Sequence, residues 1–268
     1  MAGKWAIAGA GADVPHFTIR KIGVADLREV LARGYDDFLA MPSQMGFLGM
    51  IYLIYPLVAY LIYRVTFGYD LLPMFFPLLG GFAFFGPFAA FGLYELSRRR
   101  ELGLEFDWKY AIRAMRSPAI PAIGALALAL AALFLIWLDA AWMIYKLCFG
   151  NLTPASVGEF LSLVFTTKAG WAMILIGNGV GALFAAMVLT LSVVSFPLLL
   201  DCNNVGLLTA VQTSVRAVME NPKTMMLWGV IVVGALMLGC LPFFFGLAII
   251  MPILGHATWH LYRKVVAR

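Results

Sequence analysis

Long apolar runs separated by short polar segments make up most of the chain from about residue 46 onward. A helix needs about 20 consecutive apolar residues to cross the hydrocarbon core of a bilayer. Six runs come close to this length, and the third of them can be extended to Leu147. We therefore predict transmembrane helices at about 46–63, 71–96, 119–138, 171–200, 225–241 and 243–259.

Only the short segment Cys240-Leu-Pro242 separates the last two predicted spans. A proline-marked tight turn between two full spans fits this segment. One broken, re-entrant stretch over residues 225–262 also fits it. The sequence leaves both possibilities open.

The first 44 residues are polar to amphipathic and differ from the rest of the chain. Within them, Leu27, Val30 and Leu31 fall on one face of a helix over 24–33, and charged residues occupy the other faces. We expect this helix to lie on the membrane surface or on the protein's own cytosolic face, with an ordinary cytosolic helix as the alternative. The predicted organisation is an amphipathic segment at 1–44, a six-span domain at 45–262 and a basic tail at 263–268.

Composition points to the same class of protein. The chain is 63% hydrophobic and 12% charged, with a mean hydropathy of +0.91, whereas soluble domains are about half apolar and about a quarter charged. The expected fold class is an all-α polytopic membrane helix bundle whose surface contacts the lipid bilayer. The first apolar run begins near Gly46, too deep in the chain for a cleavable leader, so we expect none.

The basic residues indicate the orientation of the bundle. The net charge of +5 arises from residues beside the apolar runs, which excludes a nucleic-acid-binding face. With six spans, 16 of the 19 lysines and arginines fall on the side that holds both termini, and the other side has Arg64, Lys146 and Lys168. The positive-inside rule then places both termini in the cytoplasm.

Two stretches of the chain share one arrangement. Glu95 precedes Pro118 by 23 residues, and Asp201 precedes Pro222 by 21. In each stretch an acid ends one apolar helix, a polar bridge follows, and a proline stands near the start of the next span, where its missing N–H has no partner to lose. We interpret this as an internal two-fold repeat, with two similar loops arising by chance as the alternative.

Each bridge also carries an arginine shortly before its proline. Arg113 precedes Pro118 by five residues, and Arg216 precedes its proline by six. The acids and the arginines would lie at a similar depth at the cytosolic interface. We therefore predict interfacial charge pairs of Glu95 with Arg113 and of Asp201 with Arg216.

Two histidines stand close together near the C-terminus. His256 and His260 have an i, i+4 spacing that places them on one helical face. A metal or haem site would need more ligands, and the third histidine, His16, lies in the N-terminal segment. The favoured interpretation is that the histidines sit at the headgroups beside Trp259 and Tyr262, which would be interfacial anchors of the last helix.

Asn178 is a polar residue near the middle of the fourth predicted span. It lies between Gly177 and Gly181, a spacing that permits close helix contact. An asparagine at this depth is a candidate for transport function. We favour the alternative, in which it forms hydrogen bonds between packed helices.

Motifs for catalysis are not recognisable in the sequence. It contains no phosphate-binding glycine loop, no nucleophile elbow and no His-Glu-x-x-His. The three cysteines are too scattered for a metal knuckle. We expect a protein that is not an enzyme and holds no cofactor.

Four strings resemble one known family, the bacterial integral membrane proteins catalogued as domain of unknown function 2189. The resemblance covers roughly residues 20–266, and the last string is its most specific part. It implies a protein of the bacterial inner membrane, and it carries over no activity. The strings are Gly92-Leu-Tyr-Glu-Leu-Ser-Arg-Arg99, Ser195-Phe-Pro-Leu-Leu-Leu-Asp201, Asn221-Pro222 before Trp228-Gly229, and Pro252-Ile-Leu-Gly-His-Ala-Thr-Trp-His-Leu-Tyr-Arg-Lys264.

Three hypotheses for function follow from these observations. The first is a non-enzymatic accessory or assembly subunit that docks on a larger inner-membrane complex, because catalytic candidates are scarce and the helices are rich in Phe, Met and Gly. The second is a transporter or channel for a small solute or a lipid, built on the two-fold repeat. The third is a metal- or haem-binding membrane protein.

Overall fold

The computed structural model of the protein describes residues 17–41, 73–74, 77–78, 90–154, 156–202, 204–241 and 246–267. The first predicted span and the larger part of the second lie outside these residues. The described part is almost entirely helical. In chain order its elements are β1 (Thr18–Ile19), α1 (Val24–Ala40), α2 (Phe91–Glu101), α3 (Trp108–Ala114), α4 (Ile120–Phe149), α5 (Val157–Thr166), α6 (Lys168–Ser192), α7 (Ser195–Asp201), α8 (Leu207–Glu220), α9 (Pro222–Cys240), α10 (Leu247–Val265) and β2 (Val266–Ala267).

Three stretches of the described part are long and apolar enough to cross a membrane. They are α4, α6 together with α7, and α9, with mean hydropathies of 2.4, 2.4 and 1.8. They correspond to the third, fourth and fifth predicted spans, and α4 continues to Phe149. Only 22% of the α4 segment and 17% of the α9 segment is buried. The protein is an all-α integral membrane protein whose long helices present apolar side chains outward.

The helix α10 differs from the sixth predicted span, 243–259. It begins at Leu247 and ends at Val265, and it is not among the candidate spans of the described residues. Its second half carries histidines and basic residues, and most of its side chains are buried in protein. The described helices therefore do not confirm a count of six spans. The predicted tail at 263–268 does not begin at a structural boundary either, because α10 continues to Val265.

The end of α9 and the start of α10 lie against each other. A Cβ atom on Gly246 would be 2.8 Å from the carbonyl oxygen of Gly239, so the absence of a side chain permits this approach. The two helices pack against each other. Residues 242–245, which connect them, lie outside the described part, so the tight turn and the broken segment both stay predictions.

The described part of the N-terminal segment packs against the core. The predicted amphipathic helix is present as the longer α1, and it buries Leu27 and Val30 against the rest of the protein. Its main neighbour is α10. β1 pairs antiparallel with β2, so that Thr18 lies opposite Ala267. Of the predicted locations for this helix, the structure supports the one on the protein's own surface, because α1 packs against α10.

The long stretch formed by α6 and α7 is interrupted at Val193 and Val194. Pro197 cannot donate a backbone hydrogen bond, and its ring would clash with the Val193 carbonyl in a straight helix. The Val194 N–H instead donates to the Ser214 hydroxyl oxygen (3.2 Å), and that hydroxyl donates to the Thr190 carbonyl (2.7 Å). Ser214 therefore bridges the two backbone groups that would bond directly in an unbroken helix.

The helix α8 approaches this break through small side chains. Its buried face consists of Ala210, Thr213, Ser214 and Ala217. The Ser195 hydroxyl oxygen lies 2.6 Å from the carbonyl oxygen of Leu191, to which it donates, and 3.2 Å from that of Ala210. Small residues let helix backbones come close. Here they bring the Ser214 hydroxyl within reach of the Val194 N–H and the Thr190 carbonyl, which have no water to bind inside a membrane.

Replacing Gly34 with alanine tests the contact between α1 and α10. A Cβ atom at Gly34 would lie 2.6 Å from the backbone nitrogen of Ala257, and this contact cannot be relieved without moving a helix. We expect a loss of about 1–3 kcal/mol in the free energy of unfolding, measured by thermal unfolding in detergent. Gly124→Ala is the control, because no described atom lies within 4 Å of its Cβ position. Equal melting temperatures for the two variants would contradict the contact.

Replacing Ser214 with alanine tests the bridged helix break. The substitution leaves the Val194 N–H and the Thr190 carbonyl without their shared partner, and we expect a loss of about 1–3 kcal/mol. Ser192→Ala is the matched control, since Ser192 is equally buried but donates only to Val188 in its own helix. Denaturant unfolding of both variants measures the difference. A Ser192→Ala loss as large as that of Ser214→Ala would show that the bridge adds nothing.

Candidate functional site

Five polar side chains from three helices meet inside the protein, and we refer to them as the Asp37 cluster. Asp37 comes from α1, Ser97 and Arg100 from α2, and His256 and His260 from α10. All except the arginine are buried. Helical periodicity explains the position of Asp37, because it continues the buried face of α1 formed by Leu27, Val30 and Gly34.

The carboxylate of Asp37 is the centre of this cluster. Its Oδ2 atom accepts hydrogen bonds from His260 Nε2, at 2.9 Å, and from the Ser97 hydroxyl. Its Oδ1 atom accepts from the guanidinium of Arg100. Because Ser97 gives its single proton to Asp37, His256 Nδ1 must be the donor in its 2.7 Å contact with the Ser97 oxygen.

The surroundings keep Asp37 ionised. Burial by itself would raise the pKa of this carboxyl, but the hydrogen bonds from His260, Ser97 and Arg100 outweigh burial and hold the pKa below its usual 3.8. The positive charge of Arg100 compensates the buried negative charge. The cluster is therefore an ion pair between a buried carboxylate and a partly exposed arginine, and the carboxylate is bonded to side chains of two other helices.

The residue types of this cluster resemble a serine nucleophile set, but their order differs. In a catalytic triad the histidine accepts the proton of the serine and the carboxylate orients the histidine. Here the Ser97 hydroxyl donates directly to Asp37, and His256 donates to Ser97. Ser97 is only 1% exposed. The arrangement suits a structural role, in which one carboxylate holds α1, α2 and α10 together.

The two histidines do share one face, as their spacing predicts. His260 Nε2 lies 2.9 Å from Asp37 Oδ2, and His256 Nδ1 lies 4.0 Å from the same oxygen. Their predicted position at the lipid headgroups is wrong, because both rings are buried in protein. His16, the third metal candidate, lies outside the described residues. Among the residues that are described, no group of three or more histidine, cysteine or acidic side chains is arranged to hold a metal ion.

Trp259 and Tyr262 are likewise buried, so their predicted role as interfacial anchors is wrong. The Trp259 indole N–H donates to Glu101 at 3.0 Å, and the Tyr262 hydroxyl donates to Asp201 at 2.8 Å. Arg263 also binds Glu101, at 2.9 Å. The last two turns of α10 are thus bonded to the C-terminal ends of α2 and α7.

The predicted pair of Glu95 and Arg113 is replaced by contacts within α2. Glu95 binds Arg98 at 2.7 Å and Arg99 at 3.7 Å. Residues three and four apart on a helix are natural neighbours, so these arginines reach the acid first. Arg113 instead lies 5.5 Å from the centre of the Tyr110 ring.

The predicted pair of Asp201 and Arg216 is also absent from the described structure. Asp201 lies 3.8 Å from Arg263 of α10. Arg216 lies 3.4 Å from Glu220, one turn further along α8. Arg216 is exposed on α8, whereas the side chain of Asp201 is only 2% exposed.

A cavity of about 220 Å³ nevertheless brings three of these four residues together. It lies where α2, α3 and the end of α7 meet. Its lining combines three guanidinium groups, two carboxylates and an apolar wall: Glu95, Arg98, Arg99, Tyr110, Arg113, Ala114, Ser117, Pro118, Leu200 and Asp201.

Asn178 lies on the exposed side of α6. Its side-chain amide donates to the carbonyl of Ile174 in the same helix, at 2.7 Å. A Cβ atom on Gly181 would lie 3.3 Å from the Trp137 ring of α4, so this glycine does serve helix packing. No described atom lies within 4 Å of the Cβ position of Gly177.

The acidic and serine members of the Asp37 cluster are not anticipated by the sequence patterns above. Asp37 could have been found by extending the face of Leu27 and Val30 by two more turns, which places it, and not Asp36, on the buried side. Ser97 and Arg100 lie in a basic run typical of a solvated loop. Their role depends on the position of α10.

One comparison with known proteins gives a match, and this match agrees with the class of protein. A family model described as a predicted integral membrane protein (DUF2189) matches residues 74–201. This range includes the strings at 92–99 and 195–201, whereas Asn221-Pro222 and the string at 252–264 lie beyond it. No curated protein and no solved structure matches the chain.

Replacing Asp37 with asparagine tests the cluster. The amide cannot accept all the bonds of the carboxylate and leaves Arg100 without its partner, and we expect a loss of about 1.5–3 kcal/mol. Asp36→Asn is the matched control, because Asp36 is exposed on the same helix and should change stability by less than about 0.5 kcal/mol. Unfolding by denaturant at pH 7 gives both values.

The same pair of variants predicts a pH dependence. A carboxyl whose pKa is lowered by folding stabilises the fold above its unfolded pKa and loses this contribution as the pH falls through the folded value. The advantage of the wild type over Asp37→Asn should shrink as the pH falls below about 4. An advantage that stayed unchanged between pH 5 and pH 3 would contradict an ionised Asp37.

Proposed function

This chain belongs to the domain of unknown function 2189 family of predicted integral membrane proteins, and we propose that it is a non-enzymatic subunit that docks on a larger complex of the bacterial inner membrane. Its role would be accessory or in assembly. Two observations support the proposal. One is the exposed face of α6, and the other is that the buried polar side chains bind one another.

Asn178 is the observation that carries this proposal. It lies near the middle of α6 and is exposed on the outer side of that helix. One amide proton is used by the Ile174 carbonyl, which leaves hydrogen-bonding capacity that lipid chains cannot satisfy. Small residues surround it on the same face, namely Gly179, Ala182 and Ala186. Such a face suits close packing by another transmembrane helix, with Asn178 bonding across the contact.

The buried polar groups support a role without catalysis. The polar side chains of the Asp37 cluster bind one another. Ser97 and His256 are each about 1% exposed, so a substrate could not reach them in this conformation. These groups instead hold α1, α2 and α10 in position.

We further propose six spans with both termini in the cytoplasm and two similar halves. The pairing of β1 with β2 supports placing the two described ends of the chain on one side. The positive-inside distribution supports the cytoplasm as that side. The order of elements supports the repeat, since α2, α3 and α4 are followed later by α7, α8 and α9, each set with an acid, a bridge and a span.

A transporter or channel is the second candidate. The break between α6 and α7 favours it, because discontinuous helices form the substrate sites of many transporters. Against it, the freed backbone groups at Thr190 and Val194 are already bound by Ser214. We therefore rank transport below docking.

The test is a mild-detergent pull-down of the tagged full chain from its native membrane, analysed by mass spectrometry. We expect a stoichiometric membrane complex with the wild type. Asn178→Leu should reduce the co-purified partner about fivefold, as expected for losing roughly 1 kcal/mol of an interhelical hydrogen bond. A lone protein that takes up a solute in vesicles would establish transport instead.

Leu135→Ala is the control for this experiment. Leu135 lies on the outward side of α4 and is 65% exposed, so the variant changes the lipid-facing surface at another helix. It should retain the partner at the level of the wild type. Equal retention by Asn178→Leu and the wild type would overturn the role of the α6 face.

A further inference from the structure

The short helix α3 and the turn after it have three distinct sides. Tyr110, Ala111 and Ala114 form the inner side, where α3 packs on α2. The contact is close, since a Cβ atom on Gly92 would lie 3.1 Å from the Ala111 side chain. The other two sides face away from the protein.

One outward side is apolar. Trp108, Ile112 and Met115 follow one another at helical spacing and are 55%, 43% and 58% exposed. Large apolar side chains exposed in a polar bridge are costly in water. A tryptophan in this position is typical of the membrane–water interface.

The neighbouring outward side is basic. Lys109, Arg113 and Arg116 are also exposed and have the same helical spacing as the apolar residues. Among the described residues, neither Arg113 nor Arg116 forms a salt bridge with a carboxylate. The segment from residue 98 to residue 116 contains six basic and three acidic side chains. An anion would therefore be attracted to this surface.

The cavity described above opens beside the basic side. Three guanidinium groups line it, from Arg98, Arg99 and Arg113. Its carboxylates are already engaged, since Glu95 binds Arg98 and Asp201 accepts from Tyr262. Arg113 thus supplies a positive charge that the cavity does not neutralise internally. The guanidinium group is well suited to phosphate oxygens because it donates in a planar fork.

The location along the chain places this surface at the edge of the bilayer. The apolar span α4 begins at Ile120, only a few residues after Arg116. Pro118 and Leu200 add an apolar wall to the cavity. The basic side and the apolar side therefore lie at the depth where phosphate groups and acyl chains meet.

We propose that this surface binds the headgroup of an anionic phospholipid. The phosphate occupies the cavity beside Arg99 and Arg113, and the start of the acyl chains packs on Trp108, Ile112 and Met115. Basic clusters next to a span attract anionic lipids through charge, and the apolar side favours a lipid over a soluble anion. This inference does not depend on docking through α6.

The first measurement is native mass spectrometry of the full chain, purified and delipidated in detergent. The probes are dioctanoyl-phosphatidylglycerol, dioctanoyl-phosphatidylcholine and inorganic phosphate. We expect tighter binding of phosphatidylglycerol than of phosphatidylcholine, and weaker binding of phosphatidylglycerol as salt is added. Equal affinity for the two lipids would overturn the proposal.

Arg113→Gln should weaken phosphatidylglycerol binding about fivefold and weaken phosphatidylcholine binding less, as expected for one basic residue near a headgroup whose net charge differs between the two lipids. Because Arg113 is exposed, the melting temperature should stay that of the wild type. Arg33→Gln is the matched control, since Arg33 is an exposed arginine of α1 that pairs with Glu29. Equal loss in both arginine variants would indicate a nonspecific charge effect and would overturn the site.

Trp108→Ala distinguishes a lipid from a soluble anion. It should weaken binding of both dioctanoyl lipids and leave binding of inorganic phosphate unchanged. Inorganic phosphate that displaced phosphatidylglycerol completely, with the same sensitivity to Arg113→Gln and none to Trp108→Ala, would assign the site to soluble phosphate and overturn the lipid proposal.

Discussion

A buried carboxylate is costly unless positive charge and hydrogen-bond donors surround it. Asp37 meets this requirement only because α2 supplies Ser97 and Arg100 and α10 supplies His260. The requirement positions three helices that are far apart in sequence. It also explains why the amphipathic N-terminal helix is integrated into the fold. Removing α1 would leave Arg100 and His260 without the carboxylate that they share.

The membrane imposes a second constraint, because lipid offers no partners to backbone groups. Pro197 prevents a straight helix, and the interruption between α6 and α7 exposes the Val194 N–H and the Thr190 carbonyl. Ser214 satisfies both from a neighbouring helix. The small residues of α8 are therefore explained by the approach they permit, and α8 functions as a structural support of the fourth span.

The two polar bridges pack differently, although their positions in the chain are similar. α8 buries its small face against the helix break, whereas α3 is short and leaves both an apolar and a basic side exposed. The difference explains why the predicted charge pairs are not formed. Arg113 remains available at the surface, and Asp201 is bound by Tyr262 and Arg263 of α10.

The sequence alone determined the class of protein, the apolar stretches that form α4, α6 with α7, and α9, and the buried face of α1, because hydropathy and helical periodicity are local sums over neighbouring residues. It failed where burial depended on distant segments. His256, Trp259 and Tyr262 have the composition of a membrane interface, yet α1, α2 and α7 enclose them with acidic partners. Only the tertiary structure decided this, because the energy of a charge depends on the groups that surround it in space.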